Sequence, residues 1–269
     1  MKFTPRKPRE GINVSDTHPL VEAGTLVAGV GLIAAAIVVV LVFIVEIALY
    51  FISAEDEARL FRNWLPDDIV TVGPLDERLH QTQLVADRLA ARWAEGPYEI
   101  RVEIDDSDMV NAMAFPGGLI VVTSGLLDAV ESENELAFVL GHELGHFRNR
   151  DHLRALGRGT LLSLLFAVIA GGDPTGIGID VADLTLRNFS RGQEDDADAF
   201  GLALVQAEYG HVDEAWRLFE RWAADEARLD GIFTYLSTHP GATHRIDKLR
   251  DLALREGWSV NGDVTPLPW

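Results

Sequence analysis

Two histidines and a glutamate stand at the spacing of a metal site that activates water. His142, Glu143 and His146 form the pattern HExxH. On an α-helix residues four apart share one face, so both imidazoles can bind one metal ion. Glu143 then lies close enough to accept a proton from an attacking water. The pattern alone is only suggestive, because an amphipathic helix with two surface histidines would look the same.

A catalytic zinc site needs a third protein ligand and one open position. His152 follows His142 by ten residues, which is where the metzincin pattern HExxHxxGxxH has its third histidine. That pattern also requires glycine where this chain has Asn149, and a methionine turn further along. The last methionine of this chain is Met113, so the metzincin interpretation fails.

An acidic segment downstream offers the other candidate ligand. Ser190 can cap a helix that carries Glu194 and Asp198 four residues apart on one face. One carboxylate can then bind a metal while the other orients a ligand histidine. The alternative is an ordinary acidic first turn of a helix. In the presence of the HExxH pattern we favour the metal site.

The elements that must position these residues are mostly helical. Leu75–Ala94 has the periodicity of an amphipathic helix, whereas Tyr98–Ile104 alternates as a half-buried strand does. Leu119–Thr123 is a second strand candidate. From Leu126 the pattern is helical, and Ser132 with Glu135 forms a capping box ahead of HExxH. The predicted class is mainly α with a small β-sheet (α+β).

One stretch near the amino terminus predicts a membrane anchor. Ala23–Val45 contains no charged residue, and at about 1.5 Å per residue it spans roughly 34 Å, enough for a bilayer core of about 30 Å. Glu46 follows, where it can reach the interface. We therefore expect a flexible tail over residues 1–22, a transmembrane helix over 23–53 and a catalytic domain over 54–269.

Basic residues on the two sides of this span predict its orientation. Four precede it and two follow it: Lys2, Arg6, Lys7 and Arg9 before, Arg59 and Arg62 after. The positive-inside rule then puts the amino terminus in the cytoplasm and the catalytic domain in the periplasm or its equivalent, on a single-pass protein of the inner membrane. A second apolar run, Gly159–Gly172, is short for a span and predicts a core or membrane-dipping helix.

Composition narrows the function classes. Among 269 residues, 23 are Lys or Arg and 42 are Asp or Glu, which gives a net charge of −19. A surface so acidic repels phosphate backbones, so no nucleic-acid partner is expected. The chain has no cysteine, which excludes disulfides and thiolate zinc sites.

Five sequence blocks in a fixed order resemble the HtpX-like zinc metallopeptidases, relatives of the CAAX prenyl endopeptidases and of the Oma-type and BepA-type proteases. The blocks are NAxAxPGG from Asn111, VTSGLL from Val122, ELAFVLGHELGH from Glu135, SRGQEDDAD from Ser190 and THP from Thr238. The resemblance covers roughly residues 75–255. It implies a zincin-like fold of the gluzincin type, one Zn²⁺ per chain and endopeptidase activity.

The resemblance also assigns roles residue by residue. It implies three zinc ligands: His142, His146 and Glu194. It makes Glu143 the general base and Asp198 the carboxylate that orients a ligand. His239 matches a histidine at the cleft that stabilises the oxyanion or gates the metal.

A substrate strand is expected just before the HExxH helix. Gly117 and Gly118 precede Leu119, Ile120 and Val121, and zinc peptidases commonly pair an extended substrate with an edge strand beside the metal. The alternative is a plain buried strand whose glycines only form a turn.

Together these features predict a membrane-anchored zinc endopeptidase that acts on protein or peptide substrates in protein quality control. The alternative is a non-proteolytic zinc-binding chaperone or membrane scaffold. Glu143 argues against that alternative, as does the lack of cysteine, because structural zinc sites usually use thiolates.

Overall fold

The computed structural model describes residues 17–62, 71, 77–94, 96–157, 189–224, 239 and 242–269. The elements in chain order are α1 (Pro19–Phe51), α2 (Ala54–Phe61), α3 (Glu77–Arg92), β1 (Arg101–Asp105), β2 (Ala112–Phe115), β3 (Leu119–Thr123), α4 (Ser124–Ala129), α5 (Glu133–Asn149), α6 (Arg191–Tyr209), α7 (Arg217–Ala224) and α8 (Ala242–Glu256). Residues 151–157 are also helical. The predicted class, mainly helical with a small sheet, is confirmed.

The chain divides into two compact units, residues 1–44 and 45–269. From Pro19 on, the described part of the first unit belongs to α1, whose apolar side chains there are largely exposed, Leu26 at 68% and Val27 at 73% among them. Among the described residues α1 is the one helix long and apolar enough to cross a membrane. It begins at Pro19, so the last four residues of the predicted tail are helical. Residues 1–16 and the Gly159–Gly172 run lie outside the described residues.

The sheet of the second unit has the order β1-β3-β2. β1 pairs with β3 in parallel, with Val102 opposite Ile120, and β2 pairs with β3 antiparallel, with Met113 opposite Val121. All five residues of β3 are buried. β2 escapes prediction, because its sequence Ala-Met-Ala-Phe does not alternate and is only four residues long.

The sheet order overturns the expected substrate strand. Leu119, Ile120 and Val121 lie on β3, which is the middle strand, so their main-chain groups pair with β1 on one side and β2 on the other. The expectation that they form an edge strand open to a substrate is wrong. The burial of every β3 side chain, on both faces, matches a central strand.

Gly117 and Gly118 form the turn that joins β2 to β3. Their φ angles of 87° and 88° are left-handed, where a side chain is strained. A Cβ at Gly117 would lie 2.6 Å from the carbonyl carbon of Phe61, and one at Gly118 would lie 2.6 Å from the carbonyl oxygen of Glu99. The backbone that approaches these glycines is therefore the chain's own.

The helix α5 carries the HExxH pattern through the core. Ser132 caps it, since its Oγ accepts the N–H of Glu135 at 3.2 Å. The predicted capping box is half formed, because the Glu135 carboxylate accepts instead from the N–H of Glu131 at 2.9 Å. Every residue from Glu133 to Phe147 is buried, so α5 is enclosed on all sides.

The carboxyl-terminal segment is tied to the beginning of α5. The carbonyl oxygen of Thr265 accepts the N–H of Glu133 at 2.9 Å, and the N–H of Thr265 donates to Oδ1 of Asn134 at 2.8 Å. The first turn of a helix has N–H groups without helical partners, and Thr265 supplies one of these partners. Leu267 packs against the same hydrophobic core.

Small residues let α5 and α6 approach closely. A Cβ at Gly145 would lie 2.6 Å from Cα of Ala197, and one at Gly141 would lie 3.0 Å from Cα of Gly201. Contacts this short involve backbone on both sides and cannot be relieved by turning a side chain. The two helices are therefore in contact along the segment that carries the candidate ligands.

We predict that Gly145→Ala destabilises the protein by about 1–3 kcal/mol, because the added methyl group overpacks the contact with Ala197. The matched control is Gly192→Ala at the start of α6, where a Cβ would meet nothing within 4 Å. Urea unfolding of the detergent-solubilised full chain measures both changes. Equal stability of the two variants would contradict the proposed close contact.

Candidate metal centre

Four buried side chains converge between α5, α6 and the segment before α8. One ligand atom each from His142, His146, Glu194 and His239 lies within 4.8 Å of all the others. Nε2 of His142 is 3.1 Å from Nε2 of His146. Oε2 of Glu194 is 3.6 Å from Nε2 of His142, and its Oε1 is 3.7 Å from Nε2 of His146.

These distances fit a tetrahedral metal. Ligand atoms about 2.0–2.1 Å from one zinc ion stand about 3.3–3.4 Å apart at the corners of a tetrahedron. Nδ1 of His239 takes the fourth corner, 3.1 Å from Nε2 of His142 and 3.0 Å from Oε1 of Glu194. Two imidazoles and a carboxylate form a donor set that zinc accepts, and all of these side chains are buried.

Local sequence fixes where Glu194 sits. Ser190 begins α6 with a full capping box, since its side chain accepts from the N–H of Gln193 and the Gln193 side chain bonds the N–H of Ser190. Glu194 follows in the first turn and is 1% exposed. The cap at Ser190 was predicted from the sequence and is confirmed.

Burial governs the electrostatics of the cluster. It lowers the pKa of His142 and His146, and that of His239 to about 3, so the imidazoles keep the free lone pairs that a metal needs. Burial raises the pKa of Glu194 to about 7, with Arg245 acting in the opposite direction. Burial and the charge of Glu194 together raise the pKa of Glu143.

On the side of His142 that faces away from the cluster, Asp198 and Arg245 form a buried ion pair. Nδ1 of His142 is 2.9 Å from Oδ1 of Asp198, the carboxylate expected from the sequence to orient a ligand. Nε of Arg245 donates to Oδ2 of Asp198 at 2.7 Å, and Nη2 donates to Oδ1 at 2.6 Å. Nη1 of Arg245 is 3.0 Å from Oε2 of Glu194. Its guanidinium also lies over the ring of Phe219, 4.6 Å from the centroid.

Sequence reasoning missed Arg245, which is 2% exposed. Its position next to the apolar Ile246 on an amphipathic helix is a weak indication that Arg245 is buried. It also missed Phe189, whose ring stacks on His146 with centroids 4.0 Å apart and covers one side of the cluster.

The general-base candidate lies between the cluster and the sheet. Oε1 of Glu143 is 3.7 Å from Nε2 of His239, and the main chain of Ala114 on β2 hydrogen-bonds the Glu143 carboxylate. The main-chain carbonyl of Ala112 accepts from the imidazole of His239, whereas Ala114 donates its N–H. The strand beside the candidate site is thus β2.

The alternative third ligand lies outside the cluster. Nε2 of His152 is 2.5 Å from Oε1 of Glu57, and its ring packs beside Phe147. His152 is buried but belongs to a separate network, which agrees with the failure of the metzincin pattern.

A buried HExxH helix, packed against a second helix with a convergent glutamate, defines a zinc metallopeptidase centre. A family model for Peptidase family M48 matches residues 76–253, which is more than half of the chain. The chain belongs to this family, and the resemblance to the HtpX-like zinc metallopeptidases is confirmed. Zinc is the metal of the family, so the expected cofactor is confirmed as well.

Curated relatives agree with the family. The chain is 29% identical to the mitochondrial metalloendopeptidase OMA1 of Schizosaccharomyces pombe, over 64% of this chain and 53% of that protein. It is 31% identical to the beta-barrel assembly-enhancing protease of Yersinia pestis, over 55% of this chain and 33% of that protein. The protease HtpX homolog of Salinibacter ruber is 29% identical, over 64% of this chain and 74% of that protein. The chain thus spans about half or less of the first two relatives.

We predict that Arg245→Met lowers the free energy of unfolding of the zinc-free protein by about 3–5 kcal/mol, because two buried carboxylates lose their counter-charge. Arg250→Met on the same helix is the control, since Arg250 pairs with Glu220 on the surface at 2.5 Å. That exposed pair contributes about 0–1 kcal/mol. Urea unfolding with a chelator present measures both, and similar losses would contradict the buried role of Arg245.

Proposed function

We propose that this protein is a zinc-dependent endopeptidase whose metal is held by His142, His146 and Glu194. The observation that carries the proposal is the convergence of these three buried side chains at tetrahedral spacing, with Glu143 beside them. A structural zinc site would have no need of a buried carboxylate next to the ligands. Glu143 therefore favours the peptidase over a zinc-binding chaperone or scaffold.

The side chains divide the chemistry between them. When bound, zinc supplies a Lewis acid that polarises a carbonyl and makes water nucleophilic near neutral pH. Glu143 accepts the proton of the attacking water and passes it to the leaving amine. Asp198 orients His142 through Nδ1 of the histidine, and Arg245 orients Asp198 by donating to its carboxylate.

His239 acts as a gate in this proposal. A catalytic zinc site keeps one position open for water or substrate, and Nδ1 of His239 lies at the fourth corner of the cluster. Its Nε2 already faces Glu143. We infer that His239 leaves this position when substrate arrives. Its place in the cluster therefore favours the gating role over oxyanion stabilisation.

An extended substrate has β2 available as its pairing strand. β2 is the last strand in the sheet order, and its far side has no strand partner among the described residues. Ala112 and Ala114 direct main-chain groups to the two catalytic candidates. This arrangement supports recognition of peptide main chain rather than of a particular side chain.

The relatives support a role in protein quality control, with proteins as substrates. One is named as an enhancer of beta-barrel assembly, and others are named metalloendopeptidases. We extend protein substrates and quality control to this chain as part of the proposal.

The proposal includes a membrane anchor. The length and the exposed apolar surface of α1 support residues 23–53 as a single span, with residues 54–269 as the catalytic domain. The excess of basic residues before the span supports a cytoplasmic amino terminus and an extracytoplasmic site.

We predict that Glu143→Gln keeps zinc near one ion per chain but lowers cleavage of an unfolded protein such as casein by about 10²–10⁴-fold, because it removes a proton carrier and no ligand. Zinc content by elemental analysis and kcat/KM test the two parts. His142→Ala is the paired variant and should lose zinc as well as activity. Wild-type turnover by the Gln variant would refute the role of Glu143, and a wild type without zinc would refute the function.

The anchor gives a separate prediction. Protease added to intact spheroplasts should digest the catalytic domain, because the basic residues retain the amino terminus in the cytoplasm. Immunoblotting against the carboxyl terminus follows the digestion, with a cytoplasmic protein as the integrity control. Protection until lysis would place the catalytic domain in the cytoplasm.

A further inference from the structure

The second histidine of the pattern has its own buried carboxylate partner. Nδ1 of His146 is 3.0 Å from Oδ2 of Asp151, while its Nε2 faces the cluster. His146 is 0% and Asp151 2% exposed. Asp151 therefore contacts Nδ1 of His146 just as Asp198 contacts Nδ1 of His142, although Asp151 lies on a different element.

A sharp reversal of the chain places Asp151 there. α5 ends at Asn149, and Arg150 has a left-handed φ of 57° and donates its N–H to the carbonyl oxygens of His146 and Phe147. For a residue other than glycine this conformation costs about 1–2 kcal/mol. The turn directs Asp151 back beneath the last turn of α5, where it meets the ring of His146.

Three side chains outside α5 hold this turn. Nε2 of Gln193 donates to Oδ1 of Asp151 at 2.6 Å, which ties the carboxylate to the helix of Glu194. The Arg150 side chain donates to the carbonyl oxygens of Leu49 and Ile52 at 2.9 and 2.6 Å. Arg154 pairs with Glu46 at 3.0 Å and lies 3.8 Å from Asp151.

We propose that Asp151 is a positioning residue for His146, and that it fixes the ring so that Nε2 is presented to the metal. The proposal rests on the proposed function, since it requires His146 to be a ligand. A carboxylate on the far nitrogen fixes the tautomer and increases the basicity of the metal-binding nitrogen. Both oxygens of Asp151 are bonded, so its own orientation is determined by the protein.

The chain provides a matched control. Glu57 and His152 also form a buried carboxylate–histidine pair, with Nε2 of His152 2.5 Å from Oε1 of Glu57. Glu57 is 0% exposed, and His152 lies outside the cluster. Loss of Glu57 disturbs packing as loss of Asp151 does, and it removes one contact of Arg150, whose Nη2 is 3.3 Å from Oε2 of Glu57. Arg150 keeps its bonds to Leu49 and Ile52, and the contact between Asp151 and His146 stays in place.

The test measures zinc affinity by chelator competition on the full chain in detergent, together with the visible absorption spectrum after Co²⁺ substitution. Asp151→Ala should raise the zinc Kd by about 10–100-fold and change the Co²⁺ spectrum. Asp151→Asn keeps an oxygen that accepts from Nδ1, so it should recover part of the affinity. Glu57→Ala should lower the Tm and leave both zinc readouts at wild-type values.

Two results would overturn the inference: wild-type affinity and spectrum in Asp151→Ala, or an equal loss of affinity in Glu57→Ala. If an alanine variant fails to fold, Asp151→Asn against Glu57→Gln decides by the same criterion. Either failure leaves the proposed function standing as long as the wild type binds zinc and Glu143→Gln is inactive. A wild type that binds no zinc refutes both.

Discussion

The close contact between α5 and α6 is the constraint on which the rest of the site depends. His142 and His146 come from one helix and Glu194 from the other, so ligand spacing follows from the distance between two backbones. Gly141 and Gly145 have no side chains, which at these positions would increase the distance between α5 and α6. Ligands on two packed helices are held by rigid backbone, whereas ligands on loops would need to adjust their positions when the metal binds.

This contact brings acidic groups together, and the surroundings must neutralise them. Arg245 enters from α8 between Asp198 and Glu194, and its charge offsets part of the cost of burying both. Burial is the main cause that lowers the pKa of His142 and His239, and the charge of Arg245 lowers both further. Stability of the core and readiness for a cation therefore come from the same residue.

Sequence could predict what depends on short spacing. Residues four apart on a helix share a face, which placed His142 with His146 and Glu194 with Asp198 on common surfaces. It could not predict contacts set by tertiary packing, such as those of Arg245, 103 residues from His142. The substrate-strand expectation failed for a related reason, because a buried run such as Leu119–Thr123 does not reveal whether a strand is central or at an edge. The contact of Asp151 with His146 depends on the left-handed turn at Arg150. An arginine in the sequence does not predict such a turn.

The order in which the chain is made has a consequence for the site. His239 lies 97 residues after His142, and Thr265, which accepts the N–H of Glu133 at the start of α5, comes later still. During synthesis the HExxH helix therefore leaves the ribosome before Arg245, which supplies the counter-charge, and before Thr265. The nascent chain therefore contains His142, Glu143 and His146 before it contains Glu194, His239 and Arg245, so the candidate site cannot assemble until these later residues have been made.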